Sequence, residues 1–526
     1  MKIGKIEINE KPSTIHQLVY VFLLLGIAGS MPLSKYVTSV FQILLIIHWI
    51  VRGEYSEKFN RLKSKRAIWI LALFFIVPLL GMFFSKDLNY GFHDLKIKLP
   101  LLALPLVIGT SEMISKKQLK LILLAFAASV SISSIVSLGI VSGIIPYSYT
   151  DIRETSLFIS HIRLALLVDM SVFILTFYAL RDKVSKLERI GLFTWALYLL
   201  VFLIAVKALT GIVVGILVGI VLAVRWVINQ KNKPLKWITL IAIIAVPILI
   251  TFYVSGVYKD FYDIKEDIHK LDKQTSRGNF YWHDTTNLQL ENGYYTGLYM
   301  CETEMREAWN KRSSLDYDGL DKKNQELRYT LIRYLTSMGL RKDADGVEQL
   351  QEDDIAIIEL GYANHIYKKR NRFKVRMYEL IWEIDVYKKG GNPSGHSVTQ
   401  RIEYLRTGIQ IFLDNPVIGV GTGDVPAAFE KKYEENDTPL DPEWRLRSHN
   451  QWLTFAIAYG VVGLLILLAA FILPGLVQRK FGQYLFLLFF MVSFLSMFNE
   501  DTLETQAGVA FFAFFYTFLL FSPNHD

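Results

Sequence analysis

The sequence predicts an all-α polytopic membrane protein with about twelve transmembrane helices and a large, mainly helical periplasmic domain between spans 9 and 10. Three observations predict it. Of 526 residues, 52% are apolar and only 20% charged, too greasy for ordinary soluble domains and incompatible with disorder. Twelve segments approach the roughly 20 mostly apolar residues that a membrane span needs. The charge is also divided: residues 257–448 carry 28 Lys+Arg against 33 Asp+Glu, whereas the other 334 residues carry 29 against 16. A basic excess confined to the greasy part suits cytoplasmic loops of a membrane protein, not a nucleic-acid surface.

In chain order the expected spans are 15–31, 36–51, 67–84, 99–110, 119–143, 157–180, 190–206, 208–228, 236–256, 450–473, 481–498 and 505–522. The fourth is short, and the seventh and eighth are joined by almost nothing. Lys2, Lys5 and Lys11 precede the first span as in a signal peptide, but eleven spans follow, so the first helix reads as uncleaved. With the N-terminus inside, the inner segments hold 22 Lys and Arg and the short outer loops 6. This asymmetry predicts an inner-membrane protein with both termini cytoplasmic and segment 257–448 periplasmic. The expected domains are 1–256 (spans 1–9), 257–448 (periplasmic) and 449–526 (spans 10–12). The single cysteine, Cys301, leaves no intramolecular disulfide.

Segment 257–448 reads as a folded domain because apolar residues recur three or four apart. Leu327, Leu331, Tyr334 and Met338 form one stripe; Ile402, Leu405, Ile409 and Phe412 form another, whose helix should stop at Asp414-Asn415-Pro416. Either stripe packs on its neighbours or on the membrane surface.

The chemistry should lie where this domain meets the outer helix ends. Gly419–Asp424, GVGTGD, resembles a phosphate loop, but lacks both a βαβ setting and a following Lys-Ser/Thr. Gly419 and Gly421 instead suit a tight turn that lets backbone approach substrate or another helix. In Arg445–Leu465 a basic, polar segment runs into the tenth span and puts His449 at its lip. An imidazole with an ordinary pKa of about 6.5 can take a proton from a hydroxyl near neutrality; the other reading is a helix anchor at the headgroups. Arg163, with His161 and Asp169, lies at or inside the outer end of span six. Ionisable groups at that depth usually face a polar cavity or one another, and a snorkelling arginine is the bland alternative. Asn499, Glu500, Asp501 and Glu504 make an acidic turn that either supports His449 and acceptor sugars or is merely solvated. Lys368, Lys369, Arg370, Arg372, Lys374 and Arg376 suit anionic headgroups or phosphorylated glycan.

His449-Asn450, nine residues, Gly460, two more and Gly463, preceded by DNPVIGVGTGD (Asp414–Asp424), resemble the signature of the bacterial O-antigen ligase and polymerase superfamily, closest to the ligases. The resemblance implies a metal-independent, cofactor-free, inverting glycosyltransferase of lipopolysaccharide biosynthesis. Its donor is a glycan on polyprenyl (undecaprenyl) pyrophosphate, and the ligase acceptor is a lipid A-core sugar. It implies His449 as base and Arg401, on RIEYLRTGIQIF, as a bidentate grip on pyrophosphate; a surface salt bridge is the alternative for Arg401. Relatives carry a Ser-Arg-like step near span pair 190–228, where this chain reads AVKALTG, so Lys207 offers only a point charge. Arg163 is the other pyrophosphate candidate. Asn450, Glu500, Glu504, Gly419 and Gly421 are supporting or acceptor-side candidates.

The same motifs leave O-antigen polymerase and protein O-oligosaccharyltransferase open. A lipid-linked glycan transporter is the non-enzyme alternative, although carriers place polar groups near the midplane and repeat their halves. Asp316-Tyr317-Asp318 and Asp343-Ala344-Asp345 match a DxD metal motif, but on the side without nucleotide sugars. Pro393-Ser394-Gly395-His396 matches one piece of a lipid phosphatase signature whose companion pieces are missing.

Overall fold

A computed structural model describes residues 15–149, 151–181, 184–286, 288–368 and 372–524, without the side chains of Asn229 and Arg372. Lys2, Lys5, Lys11, Lys369 and Arg370, used above, lie outside the described residues or side chains, as does the side chain of Arg372.

The described chain is about 70% helical. The first helices are α1 (Ile15–Ser30), α2 (Lys35–Val51), α3 (Tyr55–Ser64), α4 (Arg66–Gly81), α5 (Leu88–Lys98), α6 (Pro100–Thr110) and α7 (Lys116–Val141). Next come α8 (His161–Ala179), α9 (Lys186–Ala205), α10 (Leu209–Asn229), α11 (Lys233–Tyr262), α12 (Glu302–Asn310), α13 (Leu327–Ser337) and α14 (Ala344–Glu348). The last are α15 (Glu352–Glu359), α16 (Arg372–Lys388), α17 (Ser397–Asp414), α18 (Val425–Glu435), α19 (Gln451–Val477), α20 (Tyr484–Ser496) and α21 (Gln506–Phe521). Local chemistry sets many starts: Ser34, Ser185 and Asn450 cap α2, α9 and α19, and Ser115 with Gln118 forms a capping box on α7.

Among the described residues, seven helices are long and apolar enough to cross a membrane: Arg66–Phe84, Lys116–Val141, His161–Ala179, Lys186–Ala205, Leu209–Ile228, Lys233–Tyr262 and Gln451–Val477. An eighth span arises if α2 and α3, bent by 112°, are taken as one. Of the other expected spans, α1, α20 and α21 are apolar helices of 16, 13 and 16 residues, and α6 has 11. A length of 11 residues is about 16 Å of helix, half of a hydrocarbon core of roughly 30 Å.

Two compact units divide the chain. One comprises Met1–Gln230, Glu403–Thr438 and Arg445–Asp526; the other comprises Lys231–Ile402 and Pro439–Trp444. In the first, α21 is buried from Ala507 to Leu520. A helix apolar on every side belongs in the centre of a bundle, and α21 achieves this through aromatic contacts such as Phe74–Phe512, Phe126–Phe515 and Phe489–Tyr516. The residues immediately before this central helix, 499–504, are therefore tied to the best-packed part of the unit.

In the second unit, the apolar window of α11 has no buried residue, as expected of a helix solvated by lipid. A core of Met305, Trp309, Tyr317, Leu327, Leu331, Tyr334 and Leu335 realises the first predicted stripe, although Met338, just past the helix, is exposed. The helical pattern is interrupted by a hairpin, Leu290–Glu291 with Tyr294–Tyr295, whose Asn292-Gly293 turn has φ +52° and +87°. Two positive φ values match the twist of paired strands, and Asn-Gly adopts them readily.

Candidate functional site

His449 sits immediately before α19, half-buried and with φ +48°. Left-handed backbone is uncommon for a residue with a Cβ and persists only where its neighbours enforce it. They do so here on both sides. Asn450 Oδ1 accepts the Leu453 N–H at 3.0 Å as the helix cap, and its Nδ2 donates to the Phe498 carbonyl at 3.2 Å. Ser448 Oγ lies 2.9 Å from Thr454 Oγ1, which donates to Asp501 Oδ1 at 2.9 Å. The imidazole packs against the Tyr404 ring, 5.5 Å between centroids.

Two features that the sequence offers separately, the GVGTGD loop and the glycines of the tenth span, form one structure. At Gly460, φ is +64° and ψ −169°, so α19 is broken there. The glycine loop docks on the break: Val420 and Gly421 N–H groups donate to the Ile457 and Ala458 carbonyls at 2.9 Å each, and Val461 N–H donates to Pro416 O at 2.8 Å. Thr422 Oγ1 then donates to Pro78 O at 2.6 Å inside α4, and Asp424 accepts the Lys86 and Asp87 N–H groups. Gly419 and Gly421 are thus the close-approach turn expected of them, and what they approach is a helix.

The acidic turn is buried, so a merely solvated turn is ruled out: Glu500 and Asp501 are 9% and 8% exposed. Its members grip the surrounding helices. Asn499 Nδ2 donates to Thr210 Oγ1 at 3.0 Å, Glu500 stands 3.9 Å from the Arg163 guanidinium, and Asp501 holds Thr454. Glu504 accepts from Lys98 Nζ at 2.8 Å, Arg447 at 3.2 Å and Gln451 Nε2 at 3.0 Å, while Lys98 also donates to Asp94 at 2.6 Å. Burial opposes ionisation of both carboxyls on Lys98. Desolvation, together with the Glu504 charge, pushes Asp94 up to about 7 despite Lys98. Against the same desolvation, Lys98 and Arg447 hold Glu504 down at about 2. Burial, and then Glu504, raises Asp501 to about 6. The result is a buried, proton-sharing polar cluster under the start of α19.

Arg163 is held by Glu500, with its side chain 18% exposed, at the first turn of α8. Asp169, grouped with it in the sequence, is buried elsewhere on α8 against Gly215. Lys207 is exposed, with φ +55°, in the three-residue link between α9 and α10. The Asn499–Thr210 bond ties the acidic turn to the helix that follows Lys207. Arg401 belongs to the second unit, where its guanidinium donates to Ser397 O at 3.0 Å. On α17 the second predicted stripe does not form a core: Ile402 and Ile409 are exposed, while Glu403, Tyr404, Thr407, Gly408 and Ile411 are buried. The helix does end at Asp414 as expected.

The set-aside motifs have structural partners. Asp318 pairs bidentately with Arg306, at 2.7 and 2.9 Å, and Asp343 caps α14. From the basic run, Lys368 reaches Asp354, Lys374 reaches Asp260 and Arg376 reaches Glu379. His396 packs edge-on to Trp382.

Sequence reasoning missed Tyr404, Thr454, Gln451, Arg447 and the Asp94–Lys98 pair. The last had a signal: an acid and a base four residues apart in HDLKIK, on a short helix leading into an apolar one.

Apolar helices of spanning length around a buried charged cluster are the build of a multi-pass membrane protein. Residues 360–468 match the model of the O-antigen ligase family, which supports a relation to the O-antigen ligase superfamily over that segment. The match includes Arg401, Gly419, Gly421, His449 and Gly460. It supports a function of the O-antigen ligase or polymerase type, that of a glycosyltransferase-like ligase, and implies lipid-linked glycan and lipid A-core substrates in general terms. No curated protein matches the chain.

Proposed function

We propose that the protein is an O-antigen ligase: an inner-membrane glycosyltransferase that moves a glycan from polyprenyl pyrophosphate to a lipid A-core sugar at the periplasmic face. In this reading it has twelve spans, cytoplasmic termini and 257–448 as its periplasmic domain. His449 takes the proton of the acceptor hydroxyl as it attacks the anomeric carbon with inversion. Arg401, Arg163 and Lys207 are the cations for the departing pyrophosphate, whose developing negative charge fixed donors stabilise. The reaction requires no metal or cofactor in this reading.

The observation that carries the proposal is the way His449 is held. Asn450, Phe498, Ser448, Thr454 and Tyr404 fix a titratable ring in a strained backbone position, inside the segment that matches the ligase family. Strain of this sort is concentrated at functional sites. Deleting the gene and resolving the lipopolysaccharide on a gel tests the reading. A bare core with accumulated lipid-linked polymer is expected. Core carrying a single repeat would indicate a polymerase, and unchanged lipopolysaccharide with lost protein glycosylation would indicate an oligosaccharyltransferase.

A further inference from the structure

The second unit holds a cavity of about 270 Å³ whose wall includes Arg376 of the basic run and His396 but none of the residues proposed for proton transfer or pyrophosphate binding. Its size is just below the roughly 300 Å³ at which pockets for drug-sized ligands begin, so it suits one small ligand. Tyr362, Tyr367 and Trp382 supply apolar faces. Between them stand polar groups already fixed by neighbours. The Glu379 carboxylate accepts from Tyr367 Oη at 3.1 Å and Arg376 at 2.9 Å, retaining lone pairs for a third donor. Lys323 donates to Gly361 O at 3.1 Å and lies 3.5 Å over the Tyr362 ring. Arg333 stacks on Trp382 at 4.2 Å and donates to the buried Glu291 at 2.7 Å. The Trp382 Nε1–H is buried without a protein acceptor. Buried donors are nearly always satisfied, so this orphan on a residue of the wall marks a donor that a ligand meets once the indole turns toward the cavity.

The charges select the ligand class. Arg333 and Arg376 are each engaged by a carboxylate, and Glu379 and Glu383 also line the wall, so an anion gains little there. An apolar ligand would strand the same polar groups. A neutral, rigid ring with hydroxyls around its edge and C–H groups on its faces satisfies both demands. We propose that this cavity binds a single neutral sugar residue of a glycan substrate, its hydroxyls bonding to Trp382 Nε1–H and Glu379. The ligand class rests on the glycosyltransferase reading; the cavity and its orphan donor stand independently.

Saturation-transfer NMR on the full chain in lipid nanodiscs tests it, with glucose, N-acetylglucosamine, delipidated core oligosaccharide and free O-glycan repeat as probes. At least one should bind, about tenfold more weakly to Trp382→Phe, which keeps the ring and removes the N–H, and to Glu379→Gln. His449→Ala should bind equally well, so that transfer and binding fail separately. Preference for core would assign an acceptor subsite, and preference for the repeat a donor subsite. No binding by any probe to the folded protein, or binding unaffected by both substitutions, would overturn the proposal.

Discussion

Gly419 and Gly460 are each pressed against main chain within two residues of the other. A Cβ on Gly419 would lie 2.4 Å from the Ala458 carbonyl carbon, next to the break, and one on Gly460 would lie 2.1 Å from the Val417 carbonyl oxygen. Both residues have positive φ, +72° and +64°. Neither contact can be relieved by turning a side chain, because the obstacle is main chain.

Gly419→Ala and Gly460→Ala should therefore each destabilise the first unit by on the order of 3–5 kcal/mol, combining left-handed strain with a forced backbone shift. Thermal unfolding of purified protein measures this. Gly191→Ala, on α9 where an added Cβ meets nothing within 4 Å, serves as the comparison. Melting temperatures unchanged by the first two substitutions would contradict the interlocked loop and helix break.

Lys98 is bonded to two buried carboxyl groups, so Lys98→Met should cost about 3–5 kcal/mol, as expected when one partner of a buried ion pair is removed. Combining it with Asp94→Asn should recover part of that loss, since a neutral amide no longer needs the ammonium. Additive losses in the double-mutant cycle would show that the groups are not coupled.

The same cluster makes stability depend on pH. Burial raises the Asp94 carboxyl well above the ordinary carboxylate range despite Lys98, so its protonated form favours folding below pH 4 and that contribution disappears as pH rises through the raised value. Glu504, at about 2, acts oppositely, and its contribution is lost only as pH falls below 4.5. Asp94→Asn should thus gain stability relative to the native chain between pH 4 and 7, by at most about 1.4 kcal/mol per pH unit. A pH-independent difference in unfolding midpoints would contradict the assignment.

Asn450 has separable duties. Asn450→Asp keeps the helix-capping oxygen and loses the donor to Phe498, whereas Asn450→Ala loses both and should cost roughly a further 1 kcal/mol. Transfer should drop in both variants if the Phe498 link holds the His449 turn. Full activity in Asn450→Asp would limit Asn450 to capping.

Much of the architecture was legible because it is written locally. Apolar runs marked α1, α2, α4, α6 to α11 and α19 to α21, Pro416 marked the end of α17, and Leu327, Leu331 and Tyr334 recurred at helical spacing and are buried together. His449, Asn450 and the glycines stood out by residue type. The remainder depends on pairings that no local pattern encodes. Lys98 and Glu504 are 406 residues apart, and the 416–421 loop finds the break in α19 through main-chain bonds. The outward apolar stripe of α17 also shows that periodicity identifies a face without telling what covers it: Tyr404, on the buried face, meets His449.

The central claim is that the imidazole of residue 449 accepts the acceptor proton. The most direct measurement is glycan transfer by purified protein in nanodiscs, comparing the native chain with His449→Gly. Glycine tolerates φ +48° without strain, so the variant keeps the backbone turn while removing the ring. The fold should stay intact and turnover should fall by about 10²–10⁴. Turnover within a few-fold of native in that variant would contradict it.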